Sequence, residues 1–273
     1  MSAAADRYGV IGNPVAHSKS PDIHAAFARQ TEQALTYERL LAPLDGFAST
    51  VRTLIEQGFK GANVTVPFKL EAFALAGMLS ERAEAAGAVN TLKFQGGAIV
   101  GDNTDGIGLV TDIVVNAGVP MRGKRILLLG AGGAARGVVL PILAHAPEQL
   151  VIANRTESKA VELAARFAGK GTVAASDFRS LQCAFDVVIN ATSASLSADL
   201  PPVPPAVFGE GCLAYDMMYG PAPTVFMAFA QQHGAATRDG LGMLVEQAAE
   251  SFQCWRGMRP DTRTVYAGLR AKL

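Results

Sequence analysis

The chain has 273 residues, 49% of them hydrophobic, and its 24 Lys and Arg are matched by 24 Asp and Glu. Such a length and composition provide a substantial core, for one large domain or two ordinary ones, and exclude a disordered chain. The balanced charge gives no global field for nucleic acid or an anionic membrane, and no uninterrupted apolar stretch is long enough to cross a bilayer, so the expected partner is a small molecule.

The first residues lack the basic-then-apolar order of a signal peptide. Cys183, Cys212 and Cys254 are odd in number and far apart, which argues against a disulfide framework or zinc-ligand spacing. They read as buried, reduced thiols of a soluble, cytoplasmic protein, and no metal site is expected. His17, His24, His145 and His233 show no metal-ligand spacing either.

In chain order, Tyr8–Gly12 predicts a strand, followed by the turn-rich loop Gly12-Asn13-Pro14-Val15-Ala16-His17-Ser18-Lys19-Ser20-Pro21. Ser20 before Pro21 suits the cap of a helix over Asp22–Gln30, the common role of a serine there, although Ser18 and Ser20 can still both face a ligand carboxylate. A second helix is expected over Leu44–Glu56. The apolar run Gly61–Pro67 predicts a strand whose period of two places Asn63 and Thr65 on one side, with Lys69 just past its end. A lysine there is commonly a solvated surface charge. Gly101-Asp102-Asn103-Thr104-Asp105-Gly106 is a polar turn, readable as a linker or as the place where Asp105 meets a ligand. Lys69 and Asp105 held together would form an acid/base pair, the carboxylate favouring the ammonium form and fixing its direction.

The middle of the chain is more specific. The strand Arg125–Leu129 runs into Gly130-Ala131-Gly132-Gly133-Ala134-Ala135, the strand, turn and helix start of a dinucleotide-binding unit. A glycine-rich turn alone occurs in many α/β proteins that bind nothing there. The next strand, Leu150–Ala153, ends in Asn154-Arg155-Thr156 where an NAD site would carry an acid for the ribose 2′-hydroxyl. Arg155 suits a 2′-phosphate, with Thr156 and Lys159 adding a hydroxyl and a second cation, so the cofactor expected is NADP. Further strands over Gly171–Ala174, Val187–Asn190 and Leu213–Asp216 predict a doubly wound parallel sheet. Pro201–Pro205 reads as a rigid loop. Leu241–Trp255 has the spacing of a helix with one buried face, which could extend the nucleotide domain or return to the first one.

Taken together, these segments resemble the shikimate/quinate dehydrogenase family over nearly the whole chain. The resemblance rests on the Gly12–Pro21 loop, Gly61–Lys69, Gly87-Ala88-Val89-Asn90-Thr91, Gly101–Gly106, the glycine turn, Asn154-Arg155-Thr156, Tyr215-Asp216-Met217-Met218-Tyr219 and Gly240-Leu241-Gly242-Met243-Leu244-Val245-Glu246-Gln247. It implies an NADP-linked enzyme reducing 3-dehydroshikimate to shikimate on the route to chorismate and the aromatic amino acids. It also implies two α/β domains. Residues 1–106 and 240–273 would form the substrate domain, residues 107–239 the Rossmann-like NADP domain, and the active site would lie in the cleft between.

On the same resemblance Lys69 is the principal acid/base and Asp105 orients it. Ser18, Ser20 and Tyr219 hold the substrate carboxylate, while Thr65, Asn90, Asp105 and Gln247, with Lys69 and the neighbouring Asn63, hold the ring. The cofactor would touch Gly130, Ala131, Gly132, Gly133, Ala134, Asn154, Arg155, Thr156, Lys159, Met217 and Gly240, with Glu81 from the first domain. Val225 stands where the family often has a second proline, and Glu81 where an aspartate is common. A quinate or dual-specificity dehydrogenase, and an NADP-binding regulator without catalysis, are the competing readings. The chain is expected to be a monomer or homodimer.

Overall fold

A computed structural model of the chain describes residues 5–192, 194 and 199–273. The chain divides into two compact units. One runs to Gly108 and resumes over Val245–Lys272; the other is Leu109–Leu244.

The first unit is built on a mixed six-stranded sheet: β1 (Asp6–Gly12), β2 (Leu35–Leu41), β3 (Phe59–Val64), β4 (Met78–Leu79), β5 (Thr91–Gln95) and β6 (Ala98–Asp102), in the order β2-β1-β3-β5-β6-β4. β1 runs parallel to β2 and β3, while β5 is antiparallel to both β3 and β6. Its helices are α1 (Ser20–Gln30), α2 (Phe47–Glu56), α3 (Lys69–Leu75) and α4 (Glu81–Ala86). α1 buries Ser20, Ile23, His24, Phe27 and Ala28, and α2 buries Phe47, Val51 and Leu54, each set on a single helical face. Fully burying one such apolar side chain is worth about 1.5 to 3 kcal/mol. α5 (Asp105–Thr111) then leads through a π-helical turn, Asp112–Asn116, into the second unit.

There the strands are β7 (Arg125–Leu129), β8 (Gln149–Ala153), β9 (Val173–Ser176), β10 (Phe185–Asn190), β11 (Phe208–Asp216) and β12 (Ala236–Asp239), all parallel in the order β12-β11-β10-β7-β8-β9. This is the doubly wound dinucleotide-binding order. α6 (Gly133–Ala144), α7 (Glu157–Ala165) and α8 (Val225–Gln232) connect them. α9 (Leu241–Arg256) and α10 (Arg263–Arg270) close the chain. α9 packs on the first sheet, where Trp255 stacks on Tyr8 with ring centroids 4.6 Å apart and its indole N–H donates to the Leu92 carbonyl.

Several boundaries differ from the sequence reading. β3 stops at Val64: the Thr65 N–H makes the last ladder bond to β1, at the Ile11 carbonyl, and the Phe68 N–H then closes a turn on the Thr65 carbonyl. Ser20 is the first residue of α1, not its cap; Lys19 holds that place without a side-chain hydrogen bond. β12 has four residues at an edge of the sheet, one of them buried, too short and too polar to register as a strand. The Pro201–Pro205 loop is pinned to the core by Val203 and by Val207 just beyond it.

Candidate active site

The candidate substrate residues other than Tyr219, which belongs to the second unit, collect at one edge of the first sheet for a topological reason. β1 and β3 both end there; β5, running the other way, begins there; β6 ends there, with Thr91 paired to Asn63 and to Asp102. The loops after β1 and β3 are joined, the Asn13 N–H donating to the Val66 carbonyl at 3.0 Å. That brings the Ser18–Ser20 loop beside the turn that carries Thr65. The Ser18 hydroxyl oxygen accepts the Ser20 N–H at 3.3 Å, and Ser20 is 7% exposed.

Lys69 opens α3 directly after Phe68, which is fully buried and stacked on Phe47 at 5.0 Å. With this aromatic anchor behind it, the Lys69 ammonium reaches Asp105 Oδ2 at 2.6 Å, both side chains being largely shielded from solvent. The other Asp105 oxygen accepts from Asn90 Nδ2 at 2.8 Å. Asn90 is in turn fixed by its neighbours: its amide oxygen accepts the Thr104 N–H at 2.9 Å and the Thr91 hydroxyl at 2.9 Å. Gln247 Oε1 lies 3.4 Å from both Asn90 Nδ2 and Thr104 Oγ1. Lys69, Asn90, Asp105 and Gln247 therefore form one cluster, held from below by groups whose own hydrogen bonds are satisfied.

Asn63 sits one layer deeper. Its amide oxygen accepts the Tyr37 hydroxyl at 2.7 Å, and its amide nitrogen lies within bonding range of Thr91 Oγ1, Ser251 Oγ and the Asn90 carbonyl. Thr91, Thr104 and Ser251 share this support and were not singled out from the sequence, although Ser251 stands one helical turn beyond Gln247 and Thr104 lies inside the Gly101–Gly106 turn.

The cofactor candidates occupy the carboxyl edge of the second sheet. Gly130 has φ +108°, the left-handed region that favours glycine, and a Cβ there would press on the Ala191 backbone at 3.3 Å. A Cβ on Gly132 or Gly133 would meet nothing within 4 Å, and residues 132–134 are exposed while Ala135 is buried against the sheet. The turn thus presents open backbone at the start of α6, whose first N–H groups have no partner inside the helix. Asn190, buried at the end of β10, shapes the neighbouring loop by accepting the Thr192 N–H and hydroxyl at 3.1 and 2.7 Å.

β8 delivers Asn154 beside this turn, the Gly130 N–H donating to the Ala153 carbonyl at 2.7 Å. The Asn154 side chain bonds the Thr156 carbonyl at 2.8 Å, and Arg155, Thr156 and Lys159 are exposed. Thr156 occupies the N-cap position of α7 without using its hydroxyl to cap it. Arg155 makes no ion pair among the described residues. An open glycine turn at a helix start with uncommitted cations one strand away fits a dinucleotide with a phosphorylated ribose. Met217 and Gly240 follow β11 and β12, and Tyr219 is half-buried beyond Met217, its phenol pKa raised by burial and by Asp239. Glu81 belongs to the first unit, exposed at the start of α4.

Comparison with known proteins agrees over the whole length. Domain families described as the shikimate dehydrogenase substrate binding domain, shikimate / quinate 5-dehydrogenase and the shikimate 5′-dehydrogenase C-terminal domain match residues 10–92, 114–198 and 240–270. A protein of Janthinobacterium sp. (strain Marseille) named shikimate dehydrogenase (NADP(+)) is 66% identical over the full length of both chains. The crystal structure of an Ael1 enzyme from Pseudomonas putida is similar with a TM-score of 0.93 and 51% identity, over 97% of this chain and 98% of that one. Shikimate 5-dehydrogenase from Thermus thermophilus, crystallised with NADP(H) and shikimate, is similar with a TM-score of 0.86 and 32% identity, over 98% of this chain and all of that one.

Proposed function

This chain belongs to the shikimate dehydrogenase family, and from that premise we propose that it catalyses the reversible NADP-dependent reduction of 3-dehydroshikimate to shikimate, an oxidoreductase step at a CH–OH carbon. The observation that carries the reading is the 2.6 Å contact of Lys69 with Asp105, ringed by Asn90 and Gln247, in a chain whose other unit carries the glycine turn and Arg155.

NADP(H), when bound, supplies or accepts the hydride. Gly130, Ala131, Gly132, Gly133 and Ala134 would hold its pyrophosphate on open backbone, and Asn154, Arg155, Thr156 and Lys159 its 2′-phosphate. Lys69 does the proton work. In the reducing direction its ammonium donates to the ring carbonyl oxygen, stabilises the charge that develops there, and gives up a proton as the alcohol forms. Asp105, both of whose oxygens are engaged, fixes the direction of that ammonium. Asn90, Thr65 and Gln247 present amide and hydroxyl groups to the ring oxygens, and Ser18 and Ser20 offer hydroxyls to the substrate carboxylate. Only Cys212 of the three cysteines is buried, Cys183 being exposed and Cys254 partly so, against the expectation of buried thiols; as free thiols they suit a reducing compartment and support a cytoplasmic location.

The test is a rate matrix of purified protein on shikimate and quinate, each with NADP and NAD. NADP reduction with shikimate should dominate. Folded protein that leaves NADP unreduced with shikimate refutes the proposal, and a higher kcat/KM on quinate transfers the assignment to that substrate.

A further inference from the structure

Asp112, in the π-helical turn after α5, is fully buried, and the proposed reaction gives it no part. Its carboxylate accepts Arg238 through two nitrogens at 2.7 and 2.6 Å, the Tyr215 hydroxyl at 2.8 Å and the Asn116 amide at 2.9 Å. A Cβ on Gly242 would lie 2.0 Å from Asp112 Oδ1, so the carboxylate rests on bare backbone in the first turn of α9. The positive end of a helix favours an anion there.

Withdrawing an acid and a guanidinium from water costs more than most pairs return, so the gain from such a cluster is sought in geometry. π-helical turns concentrate at functional sites. Tyr215 and Arg238 face each other across β11 and β12, and two residues further on, just past the ends of these strands, come Met217 and Gly240. These two are in close apposition. The Gly240 N–H donates to the Met218 carbonyl at 3.0 Å, and a Cβ on Gly240 would collide with the Met217 carbonyl at 2.1 Å.

Sheet order says which part of the cofactor they serve. With the 2′-phosphate residues after β8 and the pyrophosphate turn after β7, the nicotinamide half of a dinucleotide crosses to the β10 and β11 side. We infer that Asp112, Tyr215 and Arg238 are positioning residues that hold the Met217–Gly240 pair in place for the nicotinamide half of NADP. This rests on the cofactor reading above.

The experiment compares Tyr215→Phe and Asp112→Asn with the unmodified protein, using NADP and adenosine 2′,5′-bisphosphate as probes. The bisphosphate carries the 2′-phosphate but no nicotinamide. Bisphosphate affinity and KM for shikimate should hold within about twofold, while NADP binds several-fold more weakly and kcat falls about tenfold or more, the pattern of lost reacting geometry. Should Asp112→Asn fail to fold around an unpaired Arg238, Tyr215→Phe keeps the ion pair and carries the test. Variants that weaken both probes alike, or that lower thermal stability with kcat and both affinities unchanged, overturn the inference. Unmodified protein that binds neither probe overturns the cofactor reading and the inference with it; unmodified protein that binds both, beside variants that behave identically, overturns the inference alone.

Discussion

At the scale of single residues, proton transfer and cofactor choice are assigned to different side chains, one in each unit. Lys69→Ala leaves Phe68 and α3 in place but removes the only group in the cluster able to give a proton to an alkoxide. It should lower kcat by on the order of 10² to 10⁴ while NADP affinity changes little; steady-state rates beside calorimetric titration check this, and a near-normal kcat rejects the assigned role. Arg155 is an exposed guanidinium without an ion pair among the described residues, so little internal structure depends on it. Arg155→Ala should weaken NADP by about 1.5 to 3 kcal/mol, the scale of hydrogen bonds to a charged group, and leave NAD nearly unaffected. Calorimetry with both cofactors decides, and equal binding before and after the change removes the 2′-phosphate argument.

At the scale of elements, the glycine turn between β7 and α6 contains two glycines retained for different reasons. Gly130 needs its left-handed backbone and has the Ala191 backbone against it, so Gly130→Ala should lower the melting temperature as well as NADP affinity. Gly132 has φ −80° and open space where a Cβ would go. Gly132→Val should therefore melt within about 2 °C of the parent, as a surface change with small stability effect does, yet bind NADP at least tenfold more weakly because the side chain fills the place proposed for pyrophosphate. Unaltered NADP affinity would show that no phosphate lies on that turn. This element was legible in the sequence because its signals are local: an apolar run, then glycines, then helix formers. From residue patterns alone Lys69 and Asp105 are legible only as options, since 36 positions separate them and the apolar run to Pro67 gives no sign of the turn that starts α3 at the lysine; the family resemblance is what assigns them roles. The Asp112 cluster left no trace at all. Its partners lie 103 and 126 positions away, and neither the π-helical turn nor the four-residue β12 has a sequence signature.

At the scale of the whole molecule, the chain's two ends are joined in the first unit around His24, which has no exposed surface. Its ring stacks on Tyr37 of β2 at 4.2 Å and lies among Phe27 of α1 and Phe252 and Trp255 of α9. Neither ring nitrogen has a hydrogen-bond partner among the described residues. Burial in this cage drives its pKa down to about 3, so the folded protein keeps it neutral while the unfolded chain protonates it near 6.5. Between those values the unfolded state binds the extra proton, and stability is lost as pH falls through that window by up to about 1.4 kcal/mol per pH unit. The paired carboxylates act lower. Burial tends to raise the pKa of Asp102, but the hydrogen bonds and charge of Arg82 outweigh it and hold it below its usual value, so its stabilising contribution disappears only at more acid pH. From pH 7 to 5 the loss assigned to His24 is about 2 kcal/mol. His24→Phe keeps an aromatic ring in an aromatic cage and removes the proton site, so the fall in unfolding free energy between pH 7 and 5, measured by urea melts, should shrink by most of that amount. Equal falls in the two proteins would mean that His24 is protonated in the native state or reached by water, and that the join between the chain's two ends is looser than this packing describes.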